Sequence, residues 1–306
     1  MGQKFEKTAG KKIKPSKNVR LKRMQNVIEI TSIEKSTGGL DQIRKLSKTE
    51  YLVVETGEIK EYSLSENKSQ NIASLKKTFR HIRDLINNSF RGAGNEKHIT
   101  LTYRQENGEP MTDLDRLYRD FKKFWKKFKR RYGDDVDYLS VVEPHQSGQW
   151  HCHVLVRFNG CEQMYLPNSE IEELWGQGFT KTRATDKVDN MGAYLTAYLT
   201  DVELTSENSV KAHVEGSELK VIEVEGQTKA FIKGGRVHYY PSGMNIVRHS
   251  RGIKPPDIEE MTYKQAKKIV GDTTPNYSTT TIIYGDDDQK LNQITYEQYN
   301  LKRIKE

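Results

Sequence analysis

The sequence has few cysteines and no long apolar run, and both absences narrow the classes of protein that it can encode. Only Cys152 and Cys161 occur among 306 residues, which is too few for a disulfide framework or a thiolate metal site. No apolar stretch has the length of a membrane-spanning helix, and the basic N-terminus lacks the apolar segment of a signal peptide. No P-loop pattern for nucleotide binding is present. We therefore expect a cytoplasmic protein with no membrane association, whose cysteines are packing residues.

Positive charge is concentrated at the start of the chain. The net charge is +8, and residues 1–25 alone carry nine Lys and Arg side chains against the single Glu6. Such runs are usually solvated, and they attract phosphates without sequence preference. We expect residues 1–25 to be a disordered basic tail. Residues 26–95 would then form an extension of strands and a helix, and residues 203–306 an accessory region.

Six segments between residues 98 and 183 alternate in their periodicity. Strand patterns occur at 98–103, 136–143, 150–158 and 179–183, and helical patterns at 113–132 and 168–175. The order strand, helix, strand, strand, helix, strand is typical of an α+β, ferredoxin-like (split βαβ) fold. We expect an antiparallel sheet with its helices on one face, and with the other face available for a site or for nucleic acid.

The helix predicted over 113–132 has a dense basic stripe opposite its apolar face. Solvation explains such a stripe, but it also suits a polyanion. The candidate DNA contacts are Lys122, Lys126 and Arg130 on this helix, and Arg183 on a later strand.

His151 and His153 flank Cys152 in a predicted strand, so both imidazoles project from the same face. Glu143 ends the preceding strand, across a short turn, and can lie beside them. Two imidazoles and a carboxylate can hold a catalytic divalent ion, here Mg²⁺ or Mn²⁺, with positions left open for substrate. The alternative is that the histidines are only hydrogen-bonded residues on a sheet.

Tyr194 and Tyr198 lie four residues apart in a further helix, predicted from residue 189 to about 202, and so share one face. They can be ordinary core aromatics. However, Leu195 and Leu199 form a neighbouring pair that can supply the burial instead. A tyrosine hydroxyl near a metal-bound phosphate is a nucleophile that can form a covalent phosphotyrosine.

Together these motifs resemble the rolling-circle replication initiators of plasmids, phages and integrative elements, within the HUH endonuclease superfamily. The resemblance rests on His98-Ile-Thr-Leu-Thr-Tyr103, on Glu143 with His151-Cys152-His153, and on tyrosines placed after the histidines. It covers about residues 70 to 202 and places the endonuclease core at 96–202. One departure is the lysine that many such initiators carry three residues after a catalytic tyrosine, since Ala197 and Asp201 stand there.

The resemblance implies site-specific DNA nicking and strand transfer through a 5′-phosphotyrosine, with Tyr194 and Tyr198 catalytic. The implied partners are single-stranded or supercoiled origin DNA and a host helicase and polymerase. Three alternatives remain open. The first is a relaxase or transposase of the same superfamily. The second is a non-catalytic basic DNA-binding protein that controls replication. The third is a generic metal hydrolase, which would leave the tyrosines unexplained.

Overall fold

The protein has an α+β fold, as predicted, and divides into two compact units. The central unit is Asn67–Pro255, and the terminal unit combines Met1–Glu66 with Pro256–Glu306. The computed structural model describes residues 4–35, 43–47, 50–53, 58–61, 72–145, 147–200, 202–203, 219–224, 227–232, 240–241, 244–285 and 288–303. Of the helices in these ranges, none combines the length and the apolar character needed to cross a membrane.

A five-stranded antiparallel sheet is the core of the central unit. Its strands are β7 (Glu96–Thr102), β8 (Val136–Pro144), β9 (Trp150–Phe158), β10 (Thr180–Ala184) and β14 (Val247–His249). They lie in the order β10, β7, β9, β8, β14. The four strands predicted between residues 98 and 183 are therefore confirmed, in one sheet. Alternation along β9 separates its side chains into two sets: the histidine face with His151 and His153, and the cysteine face with Cys152 and Val154.

Helices lie on both faces of this sheet. On the cysteine face are α2 (Leu114–Tyr132) and α3 (Asn168–Trp175). Ring centroids of Phe128 in α2 and Phe158 in β9 are 6.1 Å apart, and Trp175 in α3 lies 6.0 Å from Phe124. The apolar face that the sequence predicts for this helix is thus the core-facing side of α2.

The histidine face carries the other two helices, α1 (Ile72–Ser89) and α4 (Met191–Thr200). Arg157 of this face donates to the Ser89 carbonyl at 2.7 Å, and the His98 ring meets Tyr194 of α4. The two helices of the predicted core, α2 and α3, do share one face, but the expectation that the other face is available is wrong, because α1 and α4 pack on it. The histidine face also presents Leu139 and Leu155, which are fully buried, and a bare face would leave these leucines in water.

A second, three-stranded sheet follows in the central unit. It consists of β11 (Val202–Glu203), β12 (Leu219–Val224) and β13 (Gln227–Ile232), with β13 in the middle. The strand predicted at 219–224 is confirmed.

The terminal unit is built on a six-stranded antiparallel sheet. In spatial order its strands are β1 (Lys4–Ala9), β16 (Tyr277–Tyr284), β17 (Lys290–Asn300), β3 (Val27–Ile33), β2 (Asn18–Arg23) and β15 (Ile258–Thr262). The helix α5 (Tyr263–Val270), capped by Thr262, packs on one face through Ala266 and Val270. A small sheet of β4 (Ile43–Lys45), β5 (Glu50–Val53) and β6 (Ile59–Glu61) belongs to the same unit.

The prediction of a disordered tail over residues 1–25 is wrong for the segments that form β1 and β2. Val19 and Leu21 alternate with basic residues along β2, and they are buried in the core of the terminal unit. The density of lysine and arginine concealed this strand pattern. The proposed assignment of 26–95, 96–202 and 203–306 to separate roles stays a prediction.

Candidate active site

The register of β8 and β9 brings the three predicted metal ligands to one end of the sheet. Glu143 is directly opposite His151, and Val141 is opposite His153. All three ligand side chains lie on the histidine face. Cys152 points the other way and is 2% exposed, and burial raises its thiol pKa to about 12. The prediction that Cys152 is a packing residue is confirmed.

His153 is at the centre of a buried polar network. Its Nε2 is in hydrogen-bond contact with Oε2 of Glu143, a residue that is 5% exposed. On the other side of the ring, Nδ1 lies 3.1 Å from Nε2 of His98 and 3.5 Å from Oγ1 of Thr100. His98 and His153 are also stacked, with ring centroids 5.3 Å apart. Both nitrogens of His153 therefore have partners, which fix the orientation of the ring.

His151 stacks on His145 instead, with ring centroids 5.1 Å apart and planes 10° from parallel. As a result, the three predicted ligands do not close around one point. In the part of the chain that the structure describes, no group of three His, Cys, Asp or Glu side chains is arranged to hold a metal ion. Their assignment as metal ligands stays a prediction.

The side chains nevertheless fit a divalent ion in chemical type. Burial lowers the pKa of both His151 and His153 to about 4, so that near neutral pH each imidazole is uncharged and can act as a ligand. Electrostatic repulsion adds to both shifts, from the imidazoles of His145 and His153 for His151 and from the guanidinium of Arg183 for His153. Glu143 supplies a carboxylate directly opposite His151. Two neutral imidazoles and one carboxylate are a donor set for Mn²⁺ or Mg²⁺.

Tyr194 lies at the edge of this network. The Nη1 of Arg183 donates a hydrogen bond to the Tyr194 hydroxyl at 3.0 Å. The Tyr194 ring meets the His98 ring edge to face, with centroids 6.5 Å apart. His98 thus touches both the candidate nucleophile and the candidate ligand His153.

A close approach of two helices sets the position of Tyr194. The Gly192 amide donates to Oδ1 of Asn87 in α1 at 2.9 Å, and a Cβ added at Gly192 would lie 2.6 Å from the same oxygen. Asn190 accepts a hydrogen bond from the Ala193 amide at 3.0 Å and so caps the first turn of α4. Tyr194 therefore extends from the fixed end of the helix.

The second tyrosine, Tyr198, belongs to α4, as predicted, but its side chain lies outside the described residues. The three candidate DNA contacts on α2 are exposed and lie over the cysteine face, away from Tyr194; they are Lys122, Lys126 and Arg130. Arg183 is the one DNA-contact candidate that the structure brings to the site. The role of all four candidate residues in DNA binding stays a prediction.

Sequence reasoning missed His98 and His145 as members of this site. His98 stood in a predicted strand, but the strand pattern does not reveal its neighbours. The observed register places Thr100 opposite His153, with His98 two residues further along on the same face. Pairing β7 with β9 at this register would have identified His98 in advance.

The segment that contains this site matches the model of a known protein family. Residues 96–203 match the family model described as replication-associated protein ORF2/G2P. No curated protein matches the chain. The matched segment runs from β7 to β11, so it includes every candidate ligand and both tyrosines. The segment that holds the candidate site is therefore similar to replication-associated proteins.

Proposed function

We propose that the central unit is a metal-dependent, site-specific DNA nickase and strand transferase that initiates rolling-circle replication of a plasmid, phage or mobile element. One observation carries the proposal: the Tyr194 hydroxyl accepts a hydrogen bond from Arg183, and the Tyr194 ring meets the ring of His98, which in turn contacts the His153–Glu143 pair. A nucleophile beside a ligand cluster is the arrangement that transesterification of a phosphodiester needs.

The strand order supports a ferredoxin-like core for this unit. The sequence order β7, α2, β8, β9, α3, β10 produces the spatial order β10, β7, β9, β8 with antiparallel neighbours throughout. In a split βαβ arrangement, a strand lies between the two strands that a helix connects. Here β9 lies between β7 and β8, which α2 connects.

His151, His153 and Glu143 would hold Mg²⁺ or Mn²⁺. When bound, the ion would polarise the non-bridging oxygens of the scissile phosphate. His98 would keep the His153 ring in place through the contact at Nδ1. Because burial holds these imidazoles neutral, no proton has to leave them before they act as ligands.

Tyr194 would attack the phosphorus through its phenolic oxygen. A bond forms between that oxygen and phosphorus, and the bond from phosphorus to the 3′ oxygen breaks. The 3′ oxygen takes up a proton and leaves as a hydroxyl, while the phenolic proton passes to solvent. Arg183 stabilises the negative charge that develops on the phenolic oxygen, since its guanidinium already touches that atom.

The product would be a 5′-phosphotyrosine and a free 3′ hydroxyl that a host polymerase can extend after a host helicase opens the duplex. Tyr198 would perform the second transfer that closes the cycle. Single-stranded or supercoiled origin DNA is the proposed substrate. Lys122, Lys126 and Arg130 would contact backbone phosphates away from the cleaved one.

The test is to incubate the full chain with labelled single-stranded origin DNA and Mn²⁺, and to look for an adduct that resists denaturation. We expect an adduct with the parent protein and none with Tyr194→Phe/Tyr198→Phe. An adduct of undiminished yield in the double variant would exclude the tyrosine mechanism. Salt-sensitive binding with no adduct in the parent would favour the non-catalytic DNA-binding alternative. A relaxase or transposase would instead form the adduct on transfer-origin or element-end DNA.

A further inference from the structure

The six-stranded sheet of the terminal unit has one covered face and one open face. On the face beneath α5, every second side chain along a strand is buried, for example Leu21, Ile30 and Tyr299. Side chains of the other parity are half-buried or exposed along β16 and along β17 as far as Gln298, whereas Asn300 at the end of β17 is buried. Within the part of this unit that the structure describes, no helix packs on this second face, which we call the open face. Its central and edge members are Lys7, Arg20, Lys22, Thr31, Tyr277, Thr279, Tyr296 and Gln298.

Aromatic side chains project from the open face, and two of them are more than half exposed. Tyr277 is 54% exposed and Phe5, on β1, is 60% exposed. The rings of Tyr277 and Tyr296 lie 6.1 Å apart on adjacent strands. Exposed aromatic side chains on a sheet are the surface on which unpaired bases stack.

Cations occupy neighbouring positions on the same face. The strand register aligns Tyr296, Thr31 and Arg20 in one row across three strands, and Gln298, Glu29 and Lys22 in the next. Lys7 lies on β1, at the edge of the sheet. These are basic residues from the segment in which the sequence concentrates its positive charge.

The two acidic residues on this face do not cancel its attraction for phosphate. Glu29 is 4% exposed, and its carboxylate accepts a hydrogen bond from the Tyr296 hydroxyl at 2.7 Å. It therefore orients Tyr296, and its Oε2 also pairs with Nζ of Lys22 at 3.9 Å, so that Lys22 is partly neutralised and Lys7 and Arg20 supply most of the charge of this face. Glu260 pairs with Arg20 at 3.1 Å, but both side chains are more than half exposed, and such pairs are weak enough for a phosphate to compete.

We propose that the open face binds single-stranded DNA, with bases stacked on Tyr277 and Tyr296 and phosphates near Lys7, Arg20 and Lys22. The six strands span about 24 Å, enough for a short single-stranded site of about four nucleotides. A duplex cannot use the rings, because its bases are already stacked. A second copy of the chain would place the same three cations against one another. This inference does not depend on nicking chemistry.

The test measures binding of a fluorescein-labelled 20-nucleotide oligothymidylate by anisotropy at several salt concentrations. The protein is the full chain carrying Tyr194→Phe and Tyr198→Phe, in EDTA, so that no covalent adduct contributes. Tyr277→Ala should weaken binding about fivefold or more, since a base–aromatic stack is lost. Tyr277→Phe keeps the ring and should bind like the parent.

Two double variants form a matched pair on β1 and β2. Lys7→Ala/Arg20→Ala removes two cations from the open face, and the slope of log affinity against log salt should fall in magnitude by about 1.4. Lys4→Ala/Arg23→Ala removes the same charge from the same strands on the opposite face, and the slope should change by less than half as much. Thermal melting of all variants checks that the sheet remains folded.

Photocrosslinking with 5-iodouracil in the oligonucleotide locates the contact directly. Crosslinked peptides should contain Tyr277 or Tyr296. The proposal is wrong if crosslinks occur only within residues 67–255 while Tyr277→Ala binds like the parent. It is equally wrong if the slope of log affinity against log salt falls by the same amount in both double variants. Two further results would refute it: a duplex of equal length that competes as well as the single strand, or a Tyr277→Ala variant that loses self-association instead of DNA binding.

Discussion

Arg183 donates a hydrogen bond to the Tyr194 hydroxyl from a neighbouring strand and supplies a cation that α4 itself lacks. The rolling-circle initiators that the motifs resemble often carry a lysine three residues after the tyrosine, where this chain has Ala197. A guanidinium on β10 can serve the same electrostatic purpose from another direction. We infer that Arg183 compensates for the absent lysine.

Replacing Arg183 should slow the chemistry more than it weakens DNA binding. For Arg183→Gln we expect the single-turnover rate of adduct formation to fall about 100-fold, in line with the loss of one preorganised donor at a developing charge. Arg183→Lys should retain part of the rate. Lys181→Gln is the matched control, since Lys181 is exposed two residues earlier on the same face of β10. Equal rates for Arg183→Gln and Lys181→Gln would refute the assignment.

His98 should act as a positioning residue for His153. It is 6% exposed, and its Nε2 lies 3.1 Å from His153 Nδ1. Loss of such an orienting contact typically costs about 10- to 100-fold in metal affinity. We expect His98→Phe to weaken Mn²⁺ binding by that factor, measured by electron paramagnetic resonance without DNA. The exposed His249 provides the control variant His249→Phe. Unchanged Mn²⁺ affinity in His98→Phe would show that the contact has no such role.

At the scale of elements, the packing of α4 on α1 determines where Tyr194 lies. Gly192 is the contact point, and a methyl group there would meet Asn87 Oδ1 at 2.6 Å and Arg83 Cγ at 2.8 Å. The backbone oxygen of Arg83 is only 2.9 Å away, so rotation of side chains alone cannot relieve the overlap.

We therefore predict that Gly192→Ala destabilises the central unit by about 1–3 kcal/mol, the usual cost of overpacking. Denaturant unfolding would measure this loss. Adduct formation should also fall, because a shifted α4 moves Tyr194 away from Arg183. Ala193→Ser, at the exposed neighbouring position, should change neither quantity. Full stability and full activity in Gly192→Ala would contradict the close approach.

Local periodicity predicted the elements of the central unit well. α3 was expected at 168–175 and is found at those residues, and α2 differs from its prediction by one residue at its start. These elements have strong apolar repeats and partners close in sequence. The sheet of the terminal unit was not predicted, because its strands pair over the full length of the chain. Thr279 of β16, for example, donates to the Thr8 carbonyl, 271 positions away.

Residue types and strand alternation predicted the candidate ligands of the site but not their contacts. Strand alternation placed His151 and His153 together, and the short turn placed Glu143 near them. The contacts of Tyr194 with Arg183 and His98 depend on sheet register and helix packing, which the sequence pattern does not specify. Strand alternation also does not show that His151 stacks on His145 while His153 contacts Glu143.

For the whole molecule, the two termini of the chain form one folded unit rather than two tails. Removing residues 1–25 should therefore destabilise the terminal unit. The deletion takes β1 and β2 from the sheet and exposes its core, and burying Val19 and Leu21 alone contributes about 1.5–3 kcal/mol each. Hydrogen exchange should show loss of protection in β3, β16 and β17. A disordered tail predicts that protection stays as in the full chain.

Peptide mapping of the protein–DNA adduct by mass spectrometry tests the central claim most directly. After digestion of the adduct formed with origin DNA and Mn²⁺, the nucleotide should be attached through a 5′ phosphate to the peptide that contains Tyr194, and the Tyr194→Phe variant should lose this species. Attachment to a residue outside α4, or a 3′-linked product, would contradict the proposed site.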